Sequence, residues 1–149
     1  MFQYTYNTIV GKIFIAEENN AIIHISFTPV NGIKSETPLI KQAKNELDEY
    51  FKGKRKTFDL PLAPKGTEFQ LKVWEALKNI PYGNTASYKD IAIAVGNEKA
   101  CRAVGMANNK NPICIVIPCH RVIGSNDSLV GYSGGLDIKE KLLKIENII

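Results

Sequence analysis

A cysteine stands next to a histidine in the segment Pro118-Cys119-His120-Arg121, directly after a short apolar run. The thiolate is the nucleophilic form of cysteine, and its fraction at neutral pH rises with nearby positive charge and hydrogen bonds. His120 and Arg121 can supply both, although the side chains of sequence neighbours on an extended chain point to opposite sides. We favour Cys119 as a nucleophile whose ionised sulfur faces a substrate cavity. The alternative is a buried, unreactive thiol.

Glu146 is the second candidate for chemistry. In a final helix predicted over residues 136–149, its position falls between two apolar stripes. A carboxylate buried without a partner is costly, so a buried Glu146 must be paired or hydrogen-bonded. We expect His120 to be that partner, in a carboxylate–imidazole–thiol arrangement in which Glu146 orients His120 and favours its protonated form. The alternative is a frayed final turn with Glu146 in solvent.

The composition narrows the class of protein. The chain has 149 residues, of which 44% are hydrophobic, and a net charge of +4, so it is globular rather than disordered. The longest apolar run, residues 112–118, is far too short to span a membrane, and the first residues show no signal peptide. Three cysteines are too few for a disulfide framework and predict reduced thiols in the cytoplasm.

Metal and cofactor chemistry find no support in the sequence. The three cysteines and two histidines lack the spacing of metal ligands, and no glycine-rich loop of the kind that holds nucleotide phosphates occurs. We therefore expect no metal and no cofactor.

The elements that must position these groups begin with a region of mixed structure. Alternating apolar and polar residues in the first 30 positions predict two strands, a β-hairpin with a polar turn at 17–20. Helical spacing of apolar residues follows, with Pro38 near its start and Gly53 past its end. Pro61 and Pro64 then interrupt both patterns and prevent regular strand pairing. We place an N-terminal α/β domain at 1–62, a linker at 63–66 and a C-terminal domain at 67–149.

The C-terminal domain is predicted to be mostly helical. Thr67 and Gln70 form a capping box for a helix that ends at 81–83. Ser87 caps a short helix over 88–95, and Asn97 caps another over 98–108, which together give a helix-turn-helix outline. Residues 113–117 follow as a buried strand-like run.

The second helix of this outline combines small residues with positive charge. Ala100 and Gly105 allow the backbone to approach a partner closely, while Lys99 and Arg102 add cationic side chains. A glycine inside a helix costs about 1 kcal/mol relative to alanine, so Gly105 indicates close packing against either protein or nucleic acid. Many helical hairpins never touch DNA, and both interpretations stay open at this point.

Several segments, in order and spacing, resemble the methylated-DNA–protein-cysteine methyltransferases, the repair proteins for 6-O-alkylguanine. The resemblance covers residues 67–149 closely, and residues 1–62 match only as the variable N-terminal domain. It implies an α+β fold with a small ribonuclease-H-like α/β domain and a mostly helical domain with a helix-turn-helix. The segments are Pro81 to Tyr88, Arg102-Ala103-Val104-Gly105, Asn111-Pro112, Ile117 to Val122 and Gly131-Tyr132-Ser133-Gly134-Gly135.

The resemblance implies a reaction for the candidate residues. The alkyl group passes from the guanine oxygen to Cys119 and stays there, so each molecule reacts once. His120 acts through a water as base to the cysteine, and Glu146 holds that histidine. Asn111 braces the turn that bears the cysteine, and Tyr88 donates toward the guanine ring.

The resemblance also implies how the substrate is held. The backbone carbonyls of Cys119 and Val122 receive the amino group of the base, the backbone amide of Ser133 contacts the alkylated oxygen, and Tyr132 belongs to the same substrate-binding segment. Arg102 fills the gap left by the flipped nucleotide.

The remaining implications concern partners. Lys99, Ala100 and Gly105 lie with Arg102 at the minor groove. The implied partner is double-stranded alkylated DNA, with no obligatory protein partner, so we expect a cytoplasmic monomer. Three other functions stay open on the residues alone: a lesion-binding module, a cysteine hydrolase with turnover, and a helix-turn-helix transcription factor whose thiol is incidental.

Overall fold

The N-terminal half is a twisted sheet with one helix packed on it. The computed structural model describes residues 1–124, 132 and 134–149. The sheet order is β3-β2-β1-β4, with β1, β2 and β3 antiparallel and β4 parallel to β1. The strands are β1 (Phe2–Thr8), β2 (Gly11–Glu18), β3 (Ala21–Ser26) and β4 (Ile33–Lys34).

The predicted hairpin is confirmed as β2 and β3, but the prediction missed β1, which a tight turn at Ile9 and Val10 joins to β2. Gly11 follows this turn at φ +111°, a conformation that favours glycine. The Thr8 hydroxyl accepts a hydrogen bond from the Val10 amide at 3.2 Å and stabilises the reversal. Alternation of apolar residues continues across the turn, which is why the sequence pattern conceals it.

The predicted first helix is confirmed as α1 (Pro38–Phe51). Thr37 caps it by accepting a hydrogen bond from the Ile40 amide at 3.2 Å. Its apolar stripe packs against the sheet and carries Tyr50, which is fully buried.

The β3 edge of the sheet binds two segments from beyond α1. Ile22 exchanges backbone hydrogen bonds with Pro61 and Ala63, so the proline-containing connection does pair with the sheet, although only as an isolated bridge. The Ile25 amide donates to the Pro112 carbonyl at 2.9 Å, and the Cys114 amide donates to the Ile25 carbonyl at 2.7 Å. The sheet thus reaches the segment that precedes Cys119.

The predicted strand at 113–117 is wrong. Ile115 adopts φ +74°, and the Ile117 amide bonds back to the Ile113 carbonyl at 3.0 Å, so the run folds into a tight turn. The apolar run therefore indicates a buried segment, but this segment is not an extended strand.

The C-terminal half is mainly helical, and the predicted capping box of Thr67 with Gln70 is present. Ser87 is confirmed as the cap of the next helix, and the structure shows that it forms a second box with Asp90. The helices α3 and α4 pack against each other in the predicted helix-turn-helix arrangement. Two short strands pair in parallel. The elements are α2 (Glu68–Leu77), β5 (Ala86–Ser87), α3 (Tyr88–Ala94), α4 (Cys101–Asn109), β6 (Val122–Ile123) and α5 (Leu136–Ile145).

Three predicted helix bounds need correction. The helix α2 ends at Leu77, before the predicted stop at 81–83. Asn97 does not cap α4; its carbonyl accepts from the Ala100 amide in a separate turn, and α4 begins at Cys101 without a side-chain cap. The helix α5 ends at Ile145 rather than 149, which makes Glu146 its C-terminal cap residue.

One hydrophobic core runs through both halves. Trp74 of α2 is 2% exposed, and its indole nitrogen donates to the Ala107 carbonyl of α4 at 2.9 Å. The observed class is therefore α+β, as predicted. None of the helices in the described part of the chain is long and apolar enough to cross a membrane.

Candidate active site

Cys119 lies at the start of a single 3-10 turn, Cys119–Arg121, immediately before β6. Asn111 holds the approach to this turn: its side-chain amide donates to the Ile117 carbonyl at 2.8 Å and its oxygen accepts from the Ile113 amide at 3.0 Å. The Cys119 amide donates to the Ile117 carbonyl at 2.8 Å. The predicted contact of Asn111 with the cysteine-bearing turn is therefore present.

The surroundings of Cys119 favour the thiol over the thiolate that the sequence predicts. A hydrogen bond with Cys114, together with burial, raises the pKa of Cys119 well above its usual value, and this outweighs the hydrogen bond from Asn111 and the charge of Lys139. The residue is 1% exposed. The sulfur must therefore lose its proton before it can act as a nucleophile.

Glu146 and His120 meet as the periodicity of the final helix predicted. The His120 Nε2 atom and the Glu146 Oε2 atom are 2.6 Å apart, and both side chains are fully buried. The alternative of a solvent-exposed Glu146 is wrong. Because α5 ends one residue earlier, Glu146 turns into the interior from the helix end.

The Glu146 carboxylate accepts hydrogen bonds from three further donors. Arg121 donates from Nε to Oε1 at 2.8 Å, Tyr50 donates to Oε2 at 2.5 Å, and the Gly83 amide donates to Oε1 at 3.2 Å. Arg121 is thereby engaged with Glu146 and, through its Nη1 atom, with the Ile80 carbonyl at 2.7 Å. The sequence analysis missed Tyr50 altogether, because no local signal links it to residue 146.

Charge states in this cluster follow from its burial and its donors. Burial alone would raise the pKa of Glu146, but hydrogen bonds from His120, Arg121 and Tyr50 outweigh it and bring the pKa to about 2. Burial lowers the pKa of His120 and outweighs Glu146, which raises it. Glu146 thus favours the protonated form of His120, as predicted, but burial has the larger effect and favours the neutral imidazole.

The neutral imidazole has one free position. With Nε2 donating to Glu146, the Nδ1 atom carries a lone pair. This atom is buried and has no hydrogen-bond partner among the residues that the structure describes. His120 can therefore accept a proton at Nδ1 on the side that Glu146 does not occupy.

Lys139 is a second residue that sequence analysis missed. It is fully buried on α5, and its ammonium donates to the Val122 carbonyl at 2.6 Å. Burial lowers its pKa to about 8 against the opposing effect of Cys119. Its position four residues before the buried Leu143, on the same helix face, is the signal that could have found it. The Val122 carbonyl keeps a second lone pair for a ligand.

Two other predicted substrate residues lie around the sulfur. Tyr132 is 9% exposed and packs against Phe27 with ring centroids 6.1 Å apart. Burial, together with the nearby Cys114 and Cys119, raises the pKa of its hydroxyl. Tyr88, the first residue of α3, is half-buried, and burial together with Cys119 raises its pKa. Ser133 lies outside the described residues.

Asn108 is a further residue without a sequence signal. Its side-chain amide donates to the Cys119 carbonyl at 3.3 Å, and its Oδ1 atom is buried with no partner among the described residues. The Cys119 carbonyl is thus oriented from α4, and it also accepts a hydrogen bond from the Val122 backbone amide.

The predicted DNA-contacting residues lie on α4 and the turn before it. Lys99 and Arg102 are exposed, Ala100 and Gly105 are half-buried, and Arg102 makes no ion pair with any described residue. A methyl group added at Gly105 would lie 3.7 Å from the Tyr88 ring, an ordinary contact. Packing against the described protein therefore does not require glycine at this position.

Comparison with known proteins places this geometry in a family. The description "6-O-methylguanine DNA methyltransferase, ribonuclease-like domain" matches residues 1–64, and "6-O-methylguanine DNA methyltransferase, DNA binding domain" matches residues 68–148. The chain belongs to the 6-O-methylguanine DNA methyltransferase family.

Relatives match over almost the whole chain. A methylated-DNA–protein-cysteine methyltransferase of Methanosarcina acetivorans is 47% identical, with 98% of each chain covered. The constitutive one of Bacillus subtilis is 50% identical, covering 97% of this chain and 94% of its own. The crystal structure of Mycobacterium tuberculosis OGT in complex with DNA superposes with a TM-score of 0.91 at 38% identity, covering 98% of this chain and 92% of that one.

Proposed function

We propose that this protein repairs DNA by moving the alkyl group of 6-O-methylguanine to the sulfur of Cys119, once per molecule. The observation that carries the proposal is the neutral His120, held by Glu146 at 2.6 Å, with its Nδ1 atom unpartnered among the described residues and its sequence neighbour a buried thiol. Such a histidine is suited to remove the thiol proton when an alkyl carbon arrives.

The reaction balances without a cofactor. His120 accepts the thiol proton at Nδ1, through a water as the family resemblance implies, and the sulfur forms a bond to the methyl carbon. The bond from that carbon to O6 breaks, and its electron pair stays on guanine. Tyr88 donates toward the ring as negative charge develops. The methyl group stays on the sulfur as a stable thioether, so each protein molecule reacts once.

Recognition of the base uses groups around the sulfur. The Cys119 and Val122 carbonyls accept from the exocyclic amino group, and their orientation by Asn108 and Lys139 supports this role. Tyr132 forms part of the wall of the site that holds the base. We assign the contact to the alkylated oxygen to the backbone amide of Ser133.

Duplex DNA is bound through α4 and the turn before it. Arg102 enters the space left by the flipped nucleotide, because it is exposed and lacks an ion pair with any described residue. Ala100 and Gly105 let the helix approach the narrow minor groove, and Lys99 contacts phosphate. Contacts of this kind give weak sequence preference and strong salt dependence.

We further propose that the chain acts as a cytoplasmic monomer with domains at 1–62 and 67–149 joined by 63–66. The three cysteines are free thiols, which supports a reducing compartment. Sedimentation of the protein with and without duplex DNA tests the monomer.

Intact mass spectrometry after incubation with methylated duplex DNA tests the main proposal. We expect each molecule to gain one methyl group, located on Cys119 by peptide mapping, with no second turnover. The Cys119→Ser variant should gain none. Cys101→Ser is the matched control, because Cys101 lies on α4 and should leave the stoichiometry unchanged.

The other functions give different results. Repeated turnover would indicate a hydrolase. Unmodified protein that binds the lesion tightly would indicate a binding module. Unmodified protein that binds undamaged DNA equally well would indicate a transcription factor.

A further inference from the structure

A tyrosine from the N-terminal half reaches into the His120–Glu146 pair. Tyr50, on the last turn of α1, is fully buried, and its hydroxyl donates to Glu146 Oε2 at 2.5 Å. The same hydroxyl oxygen is 3.5 Å from His120 Nε2. Oε2 is also the oxygen that His120 contacts, so Tyr50 and His120 share one acceptor atom.

The position of Tyr50 is fixed by aromatic packing that does not involve the hydroxyl. Its ring meets those of Phe51, Phe58 and Tyr82 at centroid distances of 5.7, 5.7 and 6.2 Å. A phenylalanine keeps these contacts. The hydroxyl can therefore be removed with the ring left in place, and its effect can be separated from packing.

The charged and titratable groups facing His120 come from several elements. Lys139 lies on α5, and Glu146 is the cap residue at the end of that helix. Arg121 and Cys119 belong to the same turn as His120, and Tyr50 comes from α1. Glu146 favours the imidazolium, whereas Arg121 and Lys139 oppose it. A donor that takes up part of the carboxylate charge weakens the pull of Glu146 on His120.

We propose that Tyr50 is a positioning residue for alkyl transfer: its hydroxyl holds the Glu146 carboxylate and shares its charge, which keeps His120 oriented and neutral. The inference rests on the proposed function. It assigns the N-terminal half an indirect part in the chemistry of a site whose other proposed residues come from the C-terminal half. Tyr50 touches neither sulfur nor substrate and acts only through Glu146 and His120.

Nuclear magnetic resonance of the imidazole rings tests the proposal without any substrate. The chain has only two histidines, so His24→Gln assigns the two signals. In Tyr50→Phe, the carboxylate loses its Tyr50 donor and acts more strongly on His120. We expect the His120 titration to move upward by about half a pH unit or more. Tyr6→Phe, which removes a hydroxyl bonded to Glu36, is the matched control and should not move it.

The methyl-transfer rate provides the second readout. Tyr50→Phe should slow transfer about threefold to tenfold at pH 7, with the loss largest at low pH, where the variant's His120 is protonated. DNA affinity should stay unchanged. If Tyr50→Phe does not fold, 3-fluorotyrosine introduced at position 50 is the second variant. As a stronger donor, it should move the His120 titration downward.

An unchanged His120 titration in both variants would overturn the inference, even if stability falls. Failure of the wild-type protein to transfer a methyl group would instead overturn the proposed function. The ring titration would remain readable in that case, so the two failures are distinguishable.

Discussion

At the scale of single residues, Glu146 dominates the site because it is a buried charge whose lone pairs are used from several directions. Arg121 balances the charge, and Tyr50, His120 and the Gly83 amide share the two oxygens. Removing one partner of a buried ion pair leaves the other uncompensated and typically costs about 3–5 kcal/mol. Glu146 therefore contributes both to the chemistry and to the stability of the C-terminal half.

We expect Glu146→Gln to slow methyl transfer by about tenfold or more, because the amide no longer fixes the tautomer of His120. DNA affinity should stay close to that of the wild type, since Glu146 lies away from α4. Single-turnover kinetics and a fluorescence binding titration measure the two quantities. Loss of DNA affinity in folded protein would contradict this prediction.

The same variant tests a pH dependence of stability. The pKa of Glu146 is about 2 in the folded protein and near 4.5 when unfolded, so its contribution is complete above pH 4.5. As the pH falls from 4.5 to 2, the unfolded state takes up the proton first and that contribution is lost. Urea unfolding across this window should show the loss in the wild type and a smaller loss in Glu146→Gln.

At the scale of elements, α3 and α4 divide two tasks. The helix α3 begins at a capping box and places Tyr88 near the sulfur, whereas α4 presents Arg102 to solvent. Arg102 and Gly105 are one turn apart, so they face the same side of α4. The interior face of α4 carries Asn108, which orients the Cys119 carbonyl. In the proposed function, one short helix would thus connect the DNA-binding surface to the reaction site.

Arg102→Ala should separate these tasks. Flipping a nucleotide costs a few kcal/mol, roughly, and an inserted side chain offsets part of that cost. We expect repair of duplex DNA to slow by about tenfold or more, while reaction with free 6-O-methylguanine base is unaffected. Lys12→Ala, which removes an exposed cation from the N-terminal sheet, is the control for charge. Equal losses with duplex and free base would exclude insertion by Arg102.

At the scale of the whole molecule, the N-terminal half supports the reaction turn. Its β3 edge pairs with residues 112–114, and α1 supplies Tyr50. The connection between the halves is also packed, because a methyl group at Gly66 would lie 2.5 Å from the ring of Trp74. Because Trp74 is buried and hydrogen-bonded to the Ala107 carbonyl, its ring cannot move aside to make room for the methyl group.

Gly66→Ala should lower the free energy of unfolding by about 1–3 kcal/mol through this overlap. Gly105→Ala is the matched substitution, because its added methyl group meets the Tyr88 ring at an ordinary 3.7 Å. It should raise the free energy of unfolding by up to about 1 kcal/mol, since alanine favours the helix. Chemical denaturation measures both, and equal changes in the two variants would contradict the packing argument.

Much of the local structure was predictable from the sequence. Capping boxes at Thr67 and Ser87 are hydrogen bonds between residues three apart, so a short stretch of chain determines them. The pairing of Glu146 with His120 was predictable because helical periodicity put a carboxylate on an apolar face, where it must find a partner.

Only the tertiary structure decided the charge states and the remaining partners. Tyr50 lies 96 positions from Glu146, and a hydrogen bond over that separation has no local signal. A hydrogen bond with Cys114 and burial favour the thiol form of Cys119, and burial favours the neutral form of His120, so both depend on how the chain packs around them. The sequence therefore identified the candidate reacting groups, while burial and hydrogen bonds in the folded chain decide which charge state each of them favours.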